Sequence, residues 1–398
     1  GLKFTNFAIQ NLFNPESYRI VPQGEGQTFS INARTNGVYY TSASMSFLEP
    51  WLGGKRPNSL SANIFFASQT GYSDRYYQAY QNLYNTYYNY YAYSGNSNYL
   101  QQLQESEADP DKYLRTFGVS IGYGKRLSWP DDYFSFYGEL SYQMYMMKDW
   151  PYMILTDGMS HNLALNLQIS RSSIDNPIYT RRGSQFTLGL KITPPYSLIK
   201  GTTDAQYAQM TNSEKYNLLE YHKWRFSGKV FTPLSADSKL VLMARAEFGY
   251  LGHYNKNAKS PFESFYMGGD GMSSYSSYST EYVAMRGYQS GSLTPYDPAT
   301  GRNMGYVYNK FTMELRYPIA LEQNATIWAL AFVEAGNCFA DIKDYNPFNL
   351  KRSAGVGVRL FLPMFGLMGI DWGWGFDPIN GSNSYGGSQF HFVLGQEL

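Results

Sequence analysis

The side chains that most often carry out acid–base or metal chemistry are sparse in this sequence. Its 398 residues include only four histidines and one cysteine, Cys338. A single cysteine excludes a disulfide or a cysteine-based metal cluster within the chain, and the histidines show no metal-ligand spacing. The one G-x-S-x-G match, GVSIG at 118–122, lies inside a stretch expected to be a strand (116–126) and not at a strand-to-helix turn, and the sequence contains no glycine-rich phosphate loop. These residues favour a protein that needs no cofactor.

One acid–base pair could act chemically if the fold brought it together. Asp371 and His391 have the same parity on two neighbouring segments of alternating polarity, so both are expected to point inward. A hydrolase could use such a dyad with a serine. Paired ionisable groups are mostly structural, however, and we therefore expect a structural pair and no enzyme.

The elements that must position these residues are β-strands. Apolar and polar side chains alternate over stretches of about ten residues, as in 310–317 (KFTMELRY) and 368–377 (MGIDWGWGFD). Fifteen such segments make too large a sheet for a common sandwich, and closure into a barrel removes the unpaired edges that lipid forbids. The sequence therefore predicts an all-β fold, a transmembrane antiparallel β-barrel. The expected strands lie near 1–10, 26–36, 38–48, 58–69, 116–126, 132–146, 160–172, 183–193, 220–232, 238–250, 304–318, 325–339, 352–362, 366–377 and 388–398.

The composition narrows the choice of function. A net charge of +1, with only 16% charged residues, offers no long-range field to attract nucleic acid. The longest apolar run, 361–370, is interrupted by Pro363 and is too short for a spanning helix, which needs about 20 residues. The sequence opens GLKFTN without a leader, so we expect that any signal peptide was removed or lies outside it.

The connections between the expected strands alternate in length. Long loops over 70–115, 194–219 and 251–303 contrast with turns of a few residues at 235–237, 321–324 and 363–365. Outer-membrane barrels place short turns in the periplasm and long loops outside, so we expect a bacterial outer-membrane protein with a periplasmic C-terminus. Five tyrosines at helical spacing, from Tyr77 to Tyr91, indicate either a partner-binding helix or simple packing at the barrel mouth.

The longest loop contains a motif of a known family. Phe265–Gly269 (FYMGG), followed by Met285, Arg286, Gly287 and Tyr288, resembles the FxxGG…VRGF/Y loop of BamA and its relatives, the outer-membrane β-barrel assembly and translocation family. Further stretches of the chain resemble the family in the same order. They are the D…RG turn at Asp175, Arg182 and Gly183, the ELRxP strand at 314–318, the FxDxG strand at 332–336 and the closing strand at 388–398.

The resemblance implies roles for particular residues. In the family the loop arginine enters the lumen and contacts the acidic residue of the FxDxG strand, which corresponds here to Arg286 and Glu334. A guanidinium can clamp a carboxylate through two parallel hydrogen bonds. Glutamate replaces the usual aspartate, Met285 replaces valine, and Leu398 stands where an aromatic residue is common. By motif order we expect residues 1–398 to form one barrel domain with about fifteen of sixteen strands, the periplasmic polypeptide-transport-associated (POTRA) domains and the first strand lying outside this sequence.

The implied function is the folding and insertion of outer-membrane proteins through a lateral gate between the first and last strands. On the last strand Phe390, Phe392 and Leu394 are expected to face lipid, whereas Gly395 is expected to point inward and loosen the packing. The implied partners are unfolded client proteins, periplasmic chaperones, accessory lipoproteins and outer-membrane lipid. Two alternatives stay open: a related pore for dedicated secretion or autotransporter assembly, and a passive porin or uptake channel lined by Lys223, Arg225, Arg245 and Arg359.

Overall fold

The computed structural model describes residues 1–54, 58–72, 108–150, 153–271, 280–298, 301–322 and 324–395. The expected tyrosine helix lies outside these residues. The strands, in chain order, are β1 (Leu2–Phe7), β2 (Gln27–Asn36), β3 (Tyr40–Glu49), β4 (Asn58–Tyr72), β5 (Ala108–Arg126), β6 (Phe134–Lys148), β7 (Gly158–Ser172), β8 (Gly183–Ile192), β9 (His222–Pro233), β10 (Val241–Gly252), β11 (Ser264–Met267), β12 (Thr280–Val283), β13 (Tyr296–Asp297), β14 (Arg302–Asn303), β15 (Val307–Leu321), β16 (Thr326–Phe339), β17 (Lys351–Leu362), β18 (Gly366–Pro378) and β19 (Tyr385–Leu394).

One antiparallel sheet of fifteen strands contains β1 to β10 and β15 to β19 in sequence order. The fifteen predicted strands are thus confirmed. Most strand boundaries differ from the prediction by a few residues; for example, β1 ends at Phe7 and β19 runs from Tyr385 to Leu394. The largest difference is at β5, which begins at Ala108, inside the loop that was expected over 70–115. The four short strands β11 to β14 form two small sheets within the longest loop and were not predicted.

Short helices occur in the connections. The 194–219 connection contains α1 (Tyr196–Lys200), α2 (Asp204–Gln209) and α3 (Asn212–Lys215), and Thr203 and Thr211 begin the last two with capping boxes. Among the residues that the structure describes, five 3-10 helices lie at Ile9–Phe13, Pro15–Ser17, Leu52–Gly54, Lys256–Ala258 and Ile342–Asp344. Within the described ranges, none of the helices has the length and apolar character needed to cross a membrane.

The chain divides into two compact units. The first comprises Gly1–Gly124, Glu139–Leu165 and Lys200–Leu219, and the second comprises Lys125–Gly138, Asn166–Ile199 and Glu220–Leu398. In the first unit the segment after α3 is joined to β7, where the N–H of His161 donates to the carbonyl of Asn217 at 2.7 Å. The second unit holds β15 to β19 and the longest loop. A single barrel domain over 1–398 stays a prediction.

The exposure of alternating side chains identifies the environment of the sheet. On β15, Phe311 and Met313 are 45% and 48% exposed, whereas Lys310 on the opposite face is 1% exposed. β18 repeats the pattern, since Ile370 is 43% exposed and Asp371 is fully buried. A soluble sandwich would bury its apolar face, so outward apolar residues and inward charges are typical of strands that face lipid. We call the face that carries Lys310 and Asp371 the inner face.

The inner face of the second unit also carries an apolar cluster. Tyr179, from the turn between β7 and β8, packs edge-to-face on Trp328 with ring centroids 5.7 Å apart. Its hydroxyl donates to the carbonyls of Lys239 and Arg316. The other buried members come from β9, β10 and β16: Phe231, Val241, Met243, Leu330 and Phe332. The turn itself begins at Asp175, whose carboxylate accepts from the backbone N–H of Arg182.

Candidate functional site

Backbone hydrogen bonds join distant parts of the longest loop to one another. Phe265 on β11 exchanges two backbone hydrogen bonds with Gly305, at 2.9 and 3.1 Å. The N–H of Met285 donates to the carbonyl of Gly269 at 2.9 Å, which aligns the two motif segments of the loop. Met285, Arg286 and Tyr288 are all fully buried. We call residues 285–288 the tip.

Arg286 is the centre of the site. Its Nη2 donates to Oε1 of Glu334 at 2.8 Å and to Oε1 of Glu314 at 2.7 Å, and its Nη1 lies 3.3 Å from Oδ2 of Asp371. Its backbone N–H donates to Oε2 of Glu334 at 2.8 Å. The guanidinium also stacks on Phe332, 3.6 Å from the ring centroid, which adds a cation–π contact. The structure therefore brings Arg286 together with Glu334, and it adds Glu314 and Asp371 to the set.

Each of these carboxylates has a second cation. Arg316 binds Glu314 at 2.7 Å, Lys310 binds Glu334 at 3.1 Å and Arg359 binds Asp371 at 2.6 Å. Four cations thus face three carboxylates in a region that excludes water, and each buried charge has an opposite partner. Buried charges require such pairing because desolvation of an unpaired ion is costly.

Gly287 connects the tip to the last strand. Its N–H donates to Nε2 of His391 at 2.8 Å, so this imidazole accepts and is neutral. Gly287 has φ of +82°, and a Cβ there would lie 2.8 Å from the nitrogen of Gly375. Only glycine fits this backbone conformation and this approach to β18. Neighbouring glycines, Gly373 on β18 and Gly386 on β19, leave room for the tip in the same way.

Tyr288 attaches the tip to β17 and β18. Its hydroxyl donates to the carbonyl of Arg352 at 2.9 Å and accepts from the N–H of Asp377 at 3.2 Å. Burial raises the pKa of Tyr288 to about 12, so the phenol keeps the proton that it donates. The four tip residues therefore contact β15 to β19, the strands that end the sheet order.

The last strand presents its apolar residues outward. Phe390, Phe392 and Leu394 are 65%, 56% and 63% exposed, and the intervening His391 is buried. Gly395 differs from expectation, because it follows the end of β19 instead of pointing inward from it. Its φ of +75° and its N–H bond to the carbonyl of Leu367 indicate a strand-ending turn, which glycine favours.

Asp371 and His391 are register partners on β18 and β19, but different groups engage them. Both oxygens of Asp371 bind Arg359, and Nε2 of His391 accepts from the tip backbone. Across the described ranges, no three His, Cys, Asp or Glu side chains converge as metal ligands.

Comparison with known proteins gives a family and a fold. The Omp85 superfamily domain matches residues 23–398. Among solved structures, the chain is similar to BamA from Haemophilus ducreyi lacking POTRA domains 1–3, with a TM-score of 0.60 and 16% identity over 93% of this chain and 64% of that one. It is also similar to CdiB from Escherichia coli, with a TM-score of 0.50 and 10% identity over 92% of this chain and 56% of that one. No curated protein matches in sequence. This chain spans less than two thirds of the length of either solved chain. The β-barrel that was predicted from the strands is confirmed as the fold class.

Proposed function

This chain belongs to the Omp85 superfamily, and from that premise we propose that it forms the barrel of an outer-membrane protein that folds and inserts client β-barrels. Insertion proceeds through a lateral gate between the first and last strands, and the C-terminus lies in the periplasm. The observation that carries the proposal is the seating of the tip on the final strands, where Gly287 bonds His391 of β19.

The physical basis of insertion is strand addition. In the sheet order β1 and β19 are the terminal strands. Lipid makes unpaired backbone N–H and C=O groups costly, so an edge strand in the membrane is a template for a client strand. The outward Phe390, Phe392 and Leu394 keep the gate strand in contact with lipid while its backbone pairs with the client.

The tip controls how freely the gate strand moves. Arg286 is held by β15, β16 and β18 through their carboxylates, and the next residue is bonded to β19. Glu334 bonds both the guanidinium and the backbone of Arg286, so it fixes the direction in which the tip enters. The docked tip thereby keeps β19 aligned with the strands before it while clients enter and leave.

The proposed insertion activity implies a set of partners. Clients are unfolded outer-membrane proteins, delivered by periplasmic chaperones and received with the help of accessory lipoproteins and POTRA domains. Outer-membrane lipid surrounds the apolar face of the sheet. The fold of the barrel is the same for assembly and translocation, and the similarity to CdiB makes a translocation pore for one dedicated partner the second candidate.

A passive channel is disfavoured because basic residues that were expected to line it form ion pairs with acidic residues of the protein. Lys223 bonds Glu263 and Glu281, and Arg359 bonds Asp371. Lys223 and Arg359 are 4% and 2% exposed, so these charges are used within the protein rather than along an aqueous path.

The test uses the full-length protein in liposomes. An unfolded barrel client is added, and its folding is followed by the heat-dependent shift of its band on a gel. We expect faster client folding than in empty liposomes, and slower folding with Arg286→Ala. Equal client folding in loaded and empty liposomes, together with transport of a secreted passenger or release of a trapped solute, would replace this proposal with one of the alternatives.

A further inference from the structure

A second ionic cluster, separate from the one around Arg286, contacts the longest loop. Its loop residues precede the tip in the sequence. Glu263, just before β11, accepts from Nζ of Lys191 at 2.5 Å and from Nζ of Lys223 at 3.0 Å. Glu281, on β12, binds Nζ of Lys223 at 2.7 Å and Nε of Arg225 at 3.0 Å. Two loop acids therefore meet three cations on β8 and β9.

The short strands of the loop bring the two acids together. β11 and β12 run parallel, with Phe265 opposite Glu281, so Glu263 ends beside Glu281 although eighteen positions separate them in sequence. On the sheet side, Lys191 and Lys223 are register partners. Arg225 lies two residues beyond Lys223 and so projects from the same face of β9.

Lys223 is the cation that this arrangement most requires. Its side chain is 4% exposed and its Nζ also lies 4.9 Å from the centroid of the Phe265 ring. Without the loop acids it would be a buried ammonium lacking these partners, which is strongly unfavourable. Glu263 itself has φ of +69°, an uncommon conformation for a residue other than glycine, and its two ion pairs hold it there.

We propose that Glu263 and Glu281 are positioning residues that form a second anchor of the long loop, fixing it to β8 and β9 so that Arg286 is delivered to its carboxylates on β15, β16 and β18. The loop is then attached to the sheet at two places, at β8 and β9 and at the strands that bind Arg286. The consequence for client insertion rests on the proposed function, but the anchoring itself does not.

The ion pairs of Glu263 are independent of pH in the physiological range. Burial raises the pKa of Glu263, but Lys223 and Lys191 outweigh it and bring the pKa down to about 2. A carboxyl whose pKa is lowered by folding stabilises the folded form above its ordinary pKa and loses that contribution as the pH falls toward the folded value. Contact at Glu263 should therefore persist unchanged between about pH 5 and pH 8.

The test measures amide hydrogen exchange in the full-length protein in liposomes. The amides of Arg286 and Gly287 are reporters because each donates to a side chain of the sheet. The double variant Glu263→Gln with Glu281→Gln should exchange both amides at least tenfold faster. Control substitutions at two exposed acids, Glu16→Gln with Glu322→Gln, should leave them unchanged. Unchanged exchange in the anchor variant would overturn the proposal.

A milder variant covers the case in which the double variant does not fold. Glu281→Gln alone leaves Lys223 paired with Glu263. It should give a smaller acceleration at the same two amides, and the absence of any acceleration would also overturn the proposal. If exchange accelerates while client folding is unaffected, the second anchor stands and the role of the loop in insertion fails.

Discussion

Replacing Arg286 with alanine should release the tip of the long loop while leaving the sheet folded. The change removes side-chain bonds to Glu314, Glu334 and Asp371. Removing one partner of a buried ion pair usually costs about 3–5 kcal/mol, because it leaves an uncompensated charge. Here each carboxylate keeps a second cation, so we expect the lower end.

A loss of about 3 kcal/mol corresponds to roughly a hundredfold change in the ratio of docked to undocked tip, since about 1.4 kcal/mol is tenfold. The assay is hydrogen exchange at the amide of Gly287, with the folded sheet monitored by its heat-dependent gel migration. Exchange in Arg286→Lys should be faster than in the wild type and slower than in Arg286→Ala, because one ammonium cannot form all the hydrogen bonds of the planar guanidinium. Arg19→Ala, at an exposed arginine, is the matched control. Unchanged exchange in Arg286→Ala would refute the assignment of Arg286 as the docking residue.

Three further substitutions test neighbouring contacts. Gly287→Ala adds a Cβ 2.8 Å from the nitrogen of Gly375, so at least tenfold faster exchange at the tip is expected by the same assay. Tyr288→Phe loses the bond to the carbonyl of Arg352, and a net loss of about 1 kcal/mol should accelerate tip exchange roughly fivefold. Leu315→Lys puts a charge on the outward apolar face and should destabilise the barrel in lipid by up to about 2–4 kcal/mol, measured by urea unfolding in liposomes.

Each of these substitutions has a matched control. Gly301→Ala introduces a side chain at φ of +67° where the nearest atom is 4.0 Å away, so it carries the strain without the clash. Tyr296→Phe changes a 61% exposed tyrosine, and Leu198→Lys places the same charge on a 62% exposed leucine of α1, outside the main sheet. If Gly301→Ala and Tyr296→Phe accelerated exchange as much as the tip variants, the role of local packing at the tip would be contradicted. If Leu198→Lys destabilised the barrel as much as Leu315→Lys, the lipid-facing direction of Leu315 would be contradicted.

The strands could be predicted because alternation is a local property of the chain. The parity that placed Glu334 beside Phe332 on one face required only the sequence of β16, and both residues are buried. The same parity applied to β15 puts Glu314 inward. The prediction stopped short of adding Glu314 to the site because parity gives the face of a strand and not its register against the next one.

What the sequence could not supply are the long-range pairings. Asp371 reaches Arg286 across 85 positions of sequence, and the position of β18 relative to the tip depends on every register in between. The strands β11 and β12 are four residues each in a tract rich in glycine and serine, too short to show a period. The inward direction expected for Gly395 was wrong because the turn that ends β19 has no signal beyond the glycine itself.

The central claim, that this protein assembles other outer-membrane barrels, is tested most directly by depleting the full-length protein in the bacterium that encodes it. The measurement is the outer-membrane abundance of several unrelated barrels, by quantitative proteomics. We predict their collective loss, restored by the wild-type gene and poorly restored by Arg286→Ala. Steady barrel levels, with failure only in the uptake of one solute or the secretion of one protein, would contradict the claim.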